Sequence, residues 1–281
     1  MTNDANARVE PSMLEENLRI RRLARDPRLM YYLYLPSRGA AGAPVFVTVH
    51  GITRNAEDHA RRFAPHAEEQ GVVLIAPLFP AGLFPRYQRL GRDGRGERPD
   101  RVLDEIVAEV GAMTGAKTDK LYLFGYSGGG QFVHRYTMAY PHRVMRYVVG
   151  AAGWYTFPDP DTRFPRGIKP RDDLPGVTFD PKAFLNVPGA VVVGERDAKA
   201  DKALNQSARI TLQQGGDRLE RGRRWVSSMR QAALDVGLHT PYLLHVLPDC
   251  GHSFQRCMVR AGMGALIFKS LFDPVSNVLG L

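Results

Sequence analysis

The sequence predicts a single α/β domain built around a mostly parallel β-sheet, and two observations lead to this fold class. The chain has 281 residues, 44% of them hydrophobic, so it is long enough to bury one large core. Short apolar runs recur between polar segments of helical periodicity, an order typical of α/β proteins. Connections of this length join parallel strands through right-handed crossovers. The polar residues 1–15 are expected to form a loose leader before a domain that spans 16–281.

Eight apolar runs are predicted to be strands. The run VFVTVH is rich in valine, which is typical of a strand buried on both faces. In chain order the predicted strands are LRIRRLA, RLMYYLYLPS, 45–50, 72–77, 121–125, 144–150, 190–194 and 242–247. Helices are predicted over 54–70, 98–113 and 129–140 from their periodicity. Between the strands at 144–150 and 190–194, residues 151–189 carry seven prolines and little helical periodicity, which predicts an irregular, cap-like insertion.

Charge and composition exclude several classes of protein. The formal net charge is +9, but arginines are scattered among acids, and no zinc-finger spacing or RNP-type motif occurs. We therefore expect a solvated basic surface and no nucleic-acid partner. No apolar stretch approaches the roughly 18 residues of a membrane helix. Two cysteines, Cys250 and Cys257, exclude a disulfide framework. With no basic-then-apolar signal order, a cytoplasmic protein with two free thiols is expected, although a disulfide between them could brace the loop.

The chemistry-bearing motif is Gly125-Tyr126-Ser127-Gly128-Gly129, a G-x-S-x-G pattern between a predicted strand and a predicted helix. A nucleophilic serine must project from a sharp turn at the carboxyl end of a strand, often with a positive φ. The residues two before and two after it crowd each other, so both must be small. A dinucleotide-binding loop is excluded because Ser127 stands where G-x-G-x-x-G needs its second glycine. The remaining alternative is a glycine-rich turn with a structural serine.

A nucleophilic serine needs a histidine base and an orienting acid, which should follow it at later strand ends. Asp197 follows the strand at 190–194, and His252 follows the strand at 242–247. Glu195 and Asp201 stay open as alternative acids. The other histidines are interpreted as structural: His134, His142 and His245 as packed or helix-end residues, and His59, His66 and His239 as surface residues.

The oxyanion that forms during acyl transfer needs two backbone N–H donors. One is expected from Gly128, the residue after the nucleophile. The other is expected from Ile52, in the loop His50-Gly51-Ile52 that follows the strand at 45–50. His50 is interpreted as a structural hydrogen-bonding residue.

With these residues assembled, the chain resembles the α/β-hydrolase superfamily over roughly residues 30–272. The segments VTVHG, LYLFGYSGGG, AYPHRV, VVVGERD and LPDCGHSF stand where the superfamily has its counterparts. The sequence is most similar to compact esterases of the poly-hydroxyalkanoate-depolymerase-like and dienelactone-hydrolase-like type. The resemblance implies an eight-stranded, mostly parallel sheet with helices on both faces, and hydrolysis through an acyl-enzyme. No H-E-x-x-H or similar spacing suggests a metal, and we expect no cofactor. The loop HGITRN departs from the HGGG of many lipases.

These observations predict a serine hydrolase of short-acyl or hydroxyacid-oligomer esters, with a peptidase or amidase, or a non-catalytic binding protein, as alternatives. Tyr126, Trp154 and Tyr155 are expected to line the substrate pocket, because Trp154 and Tyr155 follow a strand end. The alternative is that these two aromatic residues pack the insertion onto the sheet. The arginine-rich loop 86–101 is interpreted as a solvated loop or as an attractor of anionic esters.

Overall fold

The computed structural model describes residues 17–273, so the leader predicted at 1–15 lies outside the described residues. The strands are β1 (Leu18–Leu23), β2 (Asp26–Tyr34), β3 (Pro44–Val49), β4 (Val73–Leu78), β5 (Lys117–Tyr126), β6 (Val144–Gly150), β7 (Gly189–Gly194) and β8 (Tyr242–Leu247). They form one sheet in the order β1-β2-β4-β3-β5-β6-β7-β8. The β1–β2 and β2–β4 pairs are antiparallel and all other pairs are parallel. The predicted eight-stranded, mostly parallel sheet is thereby confirmed.

The helices cover both faces of this sheet. They are α1 (Ala56–Gln70), α2 (Pro99–Thr114), α3 (Gly128–Ala139), α4 (Pro181–Leu185), α5 (Ala208–Gln214), α6 (Arg218–Asp235), α7 (Phe254–Arg260) and α8 (Met263–Phe272). On one face α2, α3 and α6 contribute to the larger apolar core, and on the other face α1, α7 and α8 contribute to the second. Along β3, Val45 and Val47 join the first core and Phe46 joins the second, because successive side chains point to opposite faces.

Helix ends follow from local sequence. Helices α1 and α2 are closed by Gly71 and Gly115, each in the left-handed conformation with φ of 70°. Glycine adopts this conformation without the steric penalty of a Cβ atom. Helix α2 also has Pro99 at its first position, where no N–H partner is needed. Each of these helix ends lies directly before the next strand, β4 or β5, so the glycines turn the chain into the amino end of that strand.

The segment between β6 and β7 contains one short helix, α4, and is otherwise irregular. Strand β6 is parallel to its neighbour β5. The segment after β6 therefore leaves the sheet at the same edge as the turn after β5. No helix among residues 17–273 is long and apolar enough to cross a membrane.

Candidate active site

Ser127 lies at the sharp turn between β5 and α3, with φ of 55° and ψ of −110°. A non-glycine residue pays a steric cost for this conformation, and such strain clusters at functional sites. The flanking glycines explain how the turn closes. A Cβ atom on Gly125 would lie 2.2 Å from the carbonyl oxygen of Gly129, and one on Gly129 would lie 1.9 Å from that of Val49. Neither position can therefore carry a side chain.

The structure brings Ser127, His252 and Asp197 into one hydrogen-bonded line. Ser127 Oγ is 3.0 Å from His252 Nε2, and His252 Nδ1 is 2.8 Å from Asp197 Oδ2. Since a carboxylate can only accept, Nδ1 carries the proton and Nε2 is left to accept from the serine hydroxyl. Asp197 follows β7 and His252 follows β8, so three strand ends supply the three side chains.

The carboxylate of Asp197 is only 3% exposed and is held from its other side by Arg218. Arg218 Nη1 donates to Asp197 Oδ1 at 3.1 Å, and the same guanidinium donates to both carboxylate oxygens of Asp201, at 2.8 and 2.9 Å. Hydrogen bonds from Arg218 lower the pKa of Asp201 to about 2. Asp201, one alternative acid of the sequence, thus pairs with an arginine. The other alternative, Glu195, is exposed and accepts from the amide of Asp249.

Gly128 and Ile52 are neighbours beside Ser127. A Cβ atom on Gly128 would lie 3.0 Å from Cγ2 of Ile52, so the two residues touch. Neither N–H donates a hydrogen bond to another described residue. The carbonyl of Gly51 accepts from the Arg54 amide at 3.0 Å and from His50 Nδ1 at 2.8 Å. In a trans peptide the N–H points opposite to the C=O, so these two donors aim the Ile52 N–H away from themselves.

His50 anchors this loop to the neighbouring strand. Its Nε2 accepts from the amide of Phe79, just beyond β4, at 3.0 Å, which leaves the proton on Nδ1. Burial lowers the pKa of His50 to about 4, so the ring is neutral at pH 7. The backbone carbonyl of His50 accepts from the hydroxyl of the buried Tyr87 at 2.9 Å. His50 is thus a neutral imidazole with both ring nitrogens hydrogen-bonded, and it has the structural role that the sequence indicated.

A cleft of about 330 Å³ opens over the serine. Its lining residues are Gly51, Ile52, Thr53, Asn55, Asp58, His59, Tyr126, Ser127, Ala203, His252, Ser253, Phe254 and Gln255. Ile52 is 51% exposed and forms part of the rim. The Tyr126 ring stacks on that of His252 with 5.5 Å between centroids, and Tyr126 is among the residues that line this cleft. This volume lies at the small end of the range for small-molecule sites.

The interpretation of His59 as a surface residue is wrong. The residue is fully buried, because it shares the sheet-facing side of α1 with Ala56, Ala60 and Phe63. Its ring stacks on Phe254 at 3.8 Å, and its Nδ1 is 2.8 Å from Thr48 Oγ1. His59 Nε2 has no hydrogen-bond partner among the described residues, and His59 is one of the residues that line the cleft.

The pocket prediction for Trp154 and Tyr155 needs correction, since neither residue borders the cleft over Ser127. Tyr155 is fully buried and stacks on Trp225 at 5.0 Å. Its backbone N–H and C=O both bond the side-chain amide of Gln214. Trp154 is 5% exposed, and the guanidinium groups of Arg89 and Arg135 both contact its ring. The packing alternative therefore holds: the aromatic pair fastens the insertion to α3 and α6.

Comparisons with known proteins bear on the fold and on the class of protein. No protein-family model and no curated protein sequence matches the chain. Among solved structures, poly(aspartic acid) hydrolase-1 from Sphingomonas sp. KT-1 is similar with a TM-score of 0.74 and 26% identity, over 87% of this chain and 94% of that one. A poly(3-hydroxybutyrate) depolymerase from Bordetella parapertussis has a TM-score of 0.72 and 26% identity, over 87% of this chain and 84% of that one.

The chain has the α/β-hydrolase fold, as the resemblance implied. Its more distant neighbours share that fold at lower identity. An S-formylglutathione hydrolase from Agrobacterium tumefaciens, for example, has a TM-score of 0.56 at 14% identity over 86% of this chain and 90% of that one. The two neighbours at 26% identity are both enzymes that hydrolyse polymers, so the comparisons support a hydrolase.

Proposed function

We propose that the protein is a serine-dependent hydrolase that cleaves carboxylic esters of short acyl or hydroxyacid-oligomer type. The observation that carries this proposal is the line from Ser127 Oγ through His252 to the buried Asp197, with distances of 3.0 and 2.8 Å. Serine is a poor nucleophile unless an adjacent base takes its proton, and this line supplies the base and the acid that orients it.

In the proposed reaction Ser127 Oγ attacks the ester carbonyl carbon while its proton moves to His252 Nε2. Asp197 keeps the Nδ1 proton in place and stabilises the imidazolium. The N–H groups of Gly128 and Ile52 stabilise the negative charge on the carbonyl oxygen. His252 then protonates the leaving alcohol, and a water molecule, activated by the same histidine, hydrolyses the acyl-enzyme.

Two further observations support the substrate class. The cleft of about 330 Å³ suits a short acyl group, and its half-exposed rim gives a long chain little apolar surface to bury. One neighbour at 26% identity is a poly(3-hydroxybutyrate) depolymerase, whose polymer is joined by esters.

An amidase on the same residues is the second candidate function. The observation that favours it is the similarity, also at 26% identity, to a poly(aspartic acid) hydrolase, whose polymer is joined by amides. A non-catalytic binding protein with this fold is the remaining alternative.

The test compares turnover of p-nitrophenyl acetate and butyrate with that of aminoacyl p-nitroanilides, using the wild type and Ser127→Ala. We expect ester cleavage that is lost by several orders of magnitude in Ser127→Ala. Cleavage of the anilides with inert esters would favour the amidase. No turnover of either class in the wild type would favour the binding protein.

A further inference from the structure

Arg135 on α3 is a buried cation without an anionic partner. The residue is fully buried, and among the described residues no carboxylate pairs with it. Its Nε donates to Thr156 Oγ1 at 2.9 Å, and its Nη1 donates to Gln131 Oε1 at 3.2 Å and to the carbonyl of Gln88. Its Nη2 has no hydrogen-bond partner within residues 17–273. A buried guanidinium that meets only neutral groups is costly to keep, because its solvation in water is not replaced.

A second arginine contacts the same indole ring as Arg135. The guanidinium carbon of Arg135 lies 4.2 Å from the ring centroid of Trp154, and that of Arg89 lies 5.0 Å from it. The Nε of Arg89 is also buried, and it has no hydrogen-bond partner in the part of the chain that the structure describes. The ring gives each cation a favourable face, but it does not neutralise either charge.

Arg89 also lines a small cavity of about 20 Å³, together with Arg86, Arg92 and Arg171. One carboxylate borders the cavity, that of Asp173, and it pairs with Arg92 and Arg171 at 2.7 Å each. The cavity wall therefore carries four cations and one anion. The pKa of Arg89 is lowered by burial and by the charges of its three arginine neighbours.

This cavity lies on the same edge of the sheet as the serine. Its arginines belong to the loop after β4 and to the insertion after β6, and Ser127 follows β5. The short 3₁₀ helix Tyr87–Arg89 connects the two places. At its start the Tyr87 hydroxyl approaches Gly128 so closely that a Cβ atom there would lie 2.5 Å from it, and at its end Arg89 lines the cavity.

We propose that Arg86, Arg89, Arg92 and Arg171, with Arg135 at the same Trp154 ring as Arg89, form a subsite for a carboxylate of the substrate. The proposal rests on the proposed function and refines it. The enzyme prefers esters that carry a free carboxylate at some distance from the scissile bond, such as the acid end of a hydroxyacid oligomer. Guanidinium groups suit this role because their planar donors match a carboxylate in charge and shape.

The test uses 3-hydroxybutyrate trimer and tetramer, each as the free acid and as its methyl ester. For the wild type at low ionic strength we expect kcat/KM to be about tenfold higher for the free acids, and this preference to shrink with added salt. In Arg89→Gln and in Arg86→Gln the preference should fall to near unity. Arg89→Lys should keep most of it, because the charge remains. Arg95→Gln removes an exposed arginine of the same loop and should behave like the wild type.

A binding measurement separates this proposal from the esterase proposal. Calorimetric titration of Ser127→Ala with the free-acid trimer needs no turnover, and we expect binding that weakens about tenfold when Arg89→Gln is added. The subsite would be overturned if the wild type showed no preference for the free-acid oligomers over their methyl esters. It would also be overturned if this preference survived in both glutamine variants. Tighter binding of inorganic phosphate than of any free-acid oligomer would also overturn it.

Discussion

Arg218 donates to one oxygen of the Asp197 carboxylate at 3.1 Å, while the other oxygen of that carboxylate faces His252. Both Arg218 and Asp197 are buried, with side-chain exposures of 1% and 2%. The arginine thus fixes the rotation of the acid that orients the catalytic base in the proposed mechanism. Because Arg218 also pairs with Asp201, it ties the loop after β7 to the start of α6.

Removing this arginine should damage both turnover and stability. In Arg218→Met we expect kcat for a short ester to fall about 10–100-fold with little change in KM, because the Asp197 carboxylate loses the hydrogen bond that fixes its orientation. We also expect a loss of about 3–5 kcal/mol in the free energy of unfolding, since two carboxylates lose a buried partner. Steady-state kinetics and urea unfolding measure the two effects. Arg224→Met, which breaks a half-exposed pair with Glu220 on the same helix, should change each by little. Wild-type kcat in Arg218→Met would refute the positioning role.

The two aspartates beside Arg218 should differ sharply in their effect on rate. Asp197→Asn should lower kcat by about 10³–10⁴-fold, because an amide can donate to His252 Nδ1 and stabilise the wrong tautomer. Asp201→Asn should lower kcat by less than about tenfold, since Asp201 bonds Arg218 and not the histidine. Both variants keep the side-chain volume, so circular dichroism serves as the folding control. A silent Asp197→Asn beside a damaging Asp201→Asn would move the acid to Asp201.

Acid should destabilise the fold through buried histidines. Burial lowers the pKa of His50 to about 4, and lowers those of His59 and His134 well below the usual value. An unfolded imidazole titrates near ~6.5, so below that pH the unfolded chain binds protons that the folded protein excludes. Above pH ~6.5 the free energy of unfolding is not reduced by these histidines. As the pH falls from ~6.5 toward the folded pKa values, it decreases by about 1.4 kcal/mol per pH unit for each histidine.

His134→Gln tests this pH dependence directly. His134 bonds the carbonyl of Gly130 and the amide of Thr156, and a glutamine does not titrate. We expect urea unfolding between pH 6.5 and 4.5 to show that the variant takes up about one proton fewer on unfolding than the wild type. Its free energy of unfolding should therefore depend less steeply on pH. His239→Gln, at an exposed site, should keep the wild-type slope. An unchanged slope in His134→Gln would show that His134 is not excluded from protonation in the folded state.

Acyl-chain preference should follow the small cleft. For p-nitrophenyl esters from acetate to palmitate we expect the highest kcat/KM at about two to six carbons, because longer chains gain little of the usual ~0.8 kcal/mol per methylene. Trp154→Ala should not move this optimum, because Trp154 does not border the cleft, but should cost about 3–5 kcal/mol of stability. Ile52→Ala, at the rim, should shift or flatten it. An optimum at ten carbons or longer would require a deep acyl tunnel.

The fold and the candidate triad were accessible from the sequence because their signals are local. The elbow needs glycines at 125 and 129, and both appear next to the serine within a strand-to-helix pattern. Asp197 and His252 each follow an apolar run directly, and parallel strands bring their carboxyl ends to one edge. Their positions therefore need only strand recognition and chain order.

Other parts of the site depend on contacts that no local pattern records. An arginine such as Arg218, on a helix with many charged residues, is indistinguishable from a solvated one until α6 is packed on the sheet. Trp154 and Tyr155 lie in an irregular segment, where no periodicity tells which way a side chain points. His59 is different, because its spacing from Ala56, Ala60 and Phe63 is helical and could have predicted its burial.

Whether Ser127 acts as the covalent nucleophile can be measured by locating a fluorophosphonate adduct by mass spectrometry. We expect one adduct per chain, on Ser127, that is absent in Ser127→Ala and forms far more slowly in His252→Ala. Both variants should retain the wild-type circular dichroism spectrum. An adduct on another residue, or no adduct on a folded wild-type protein, would show that Ser127 is not the nucleophile.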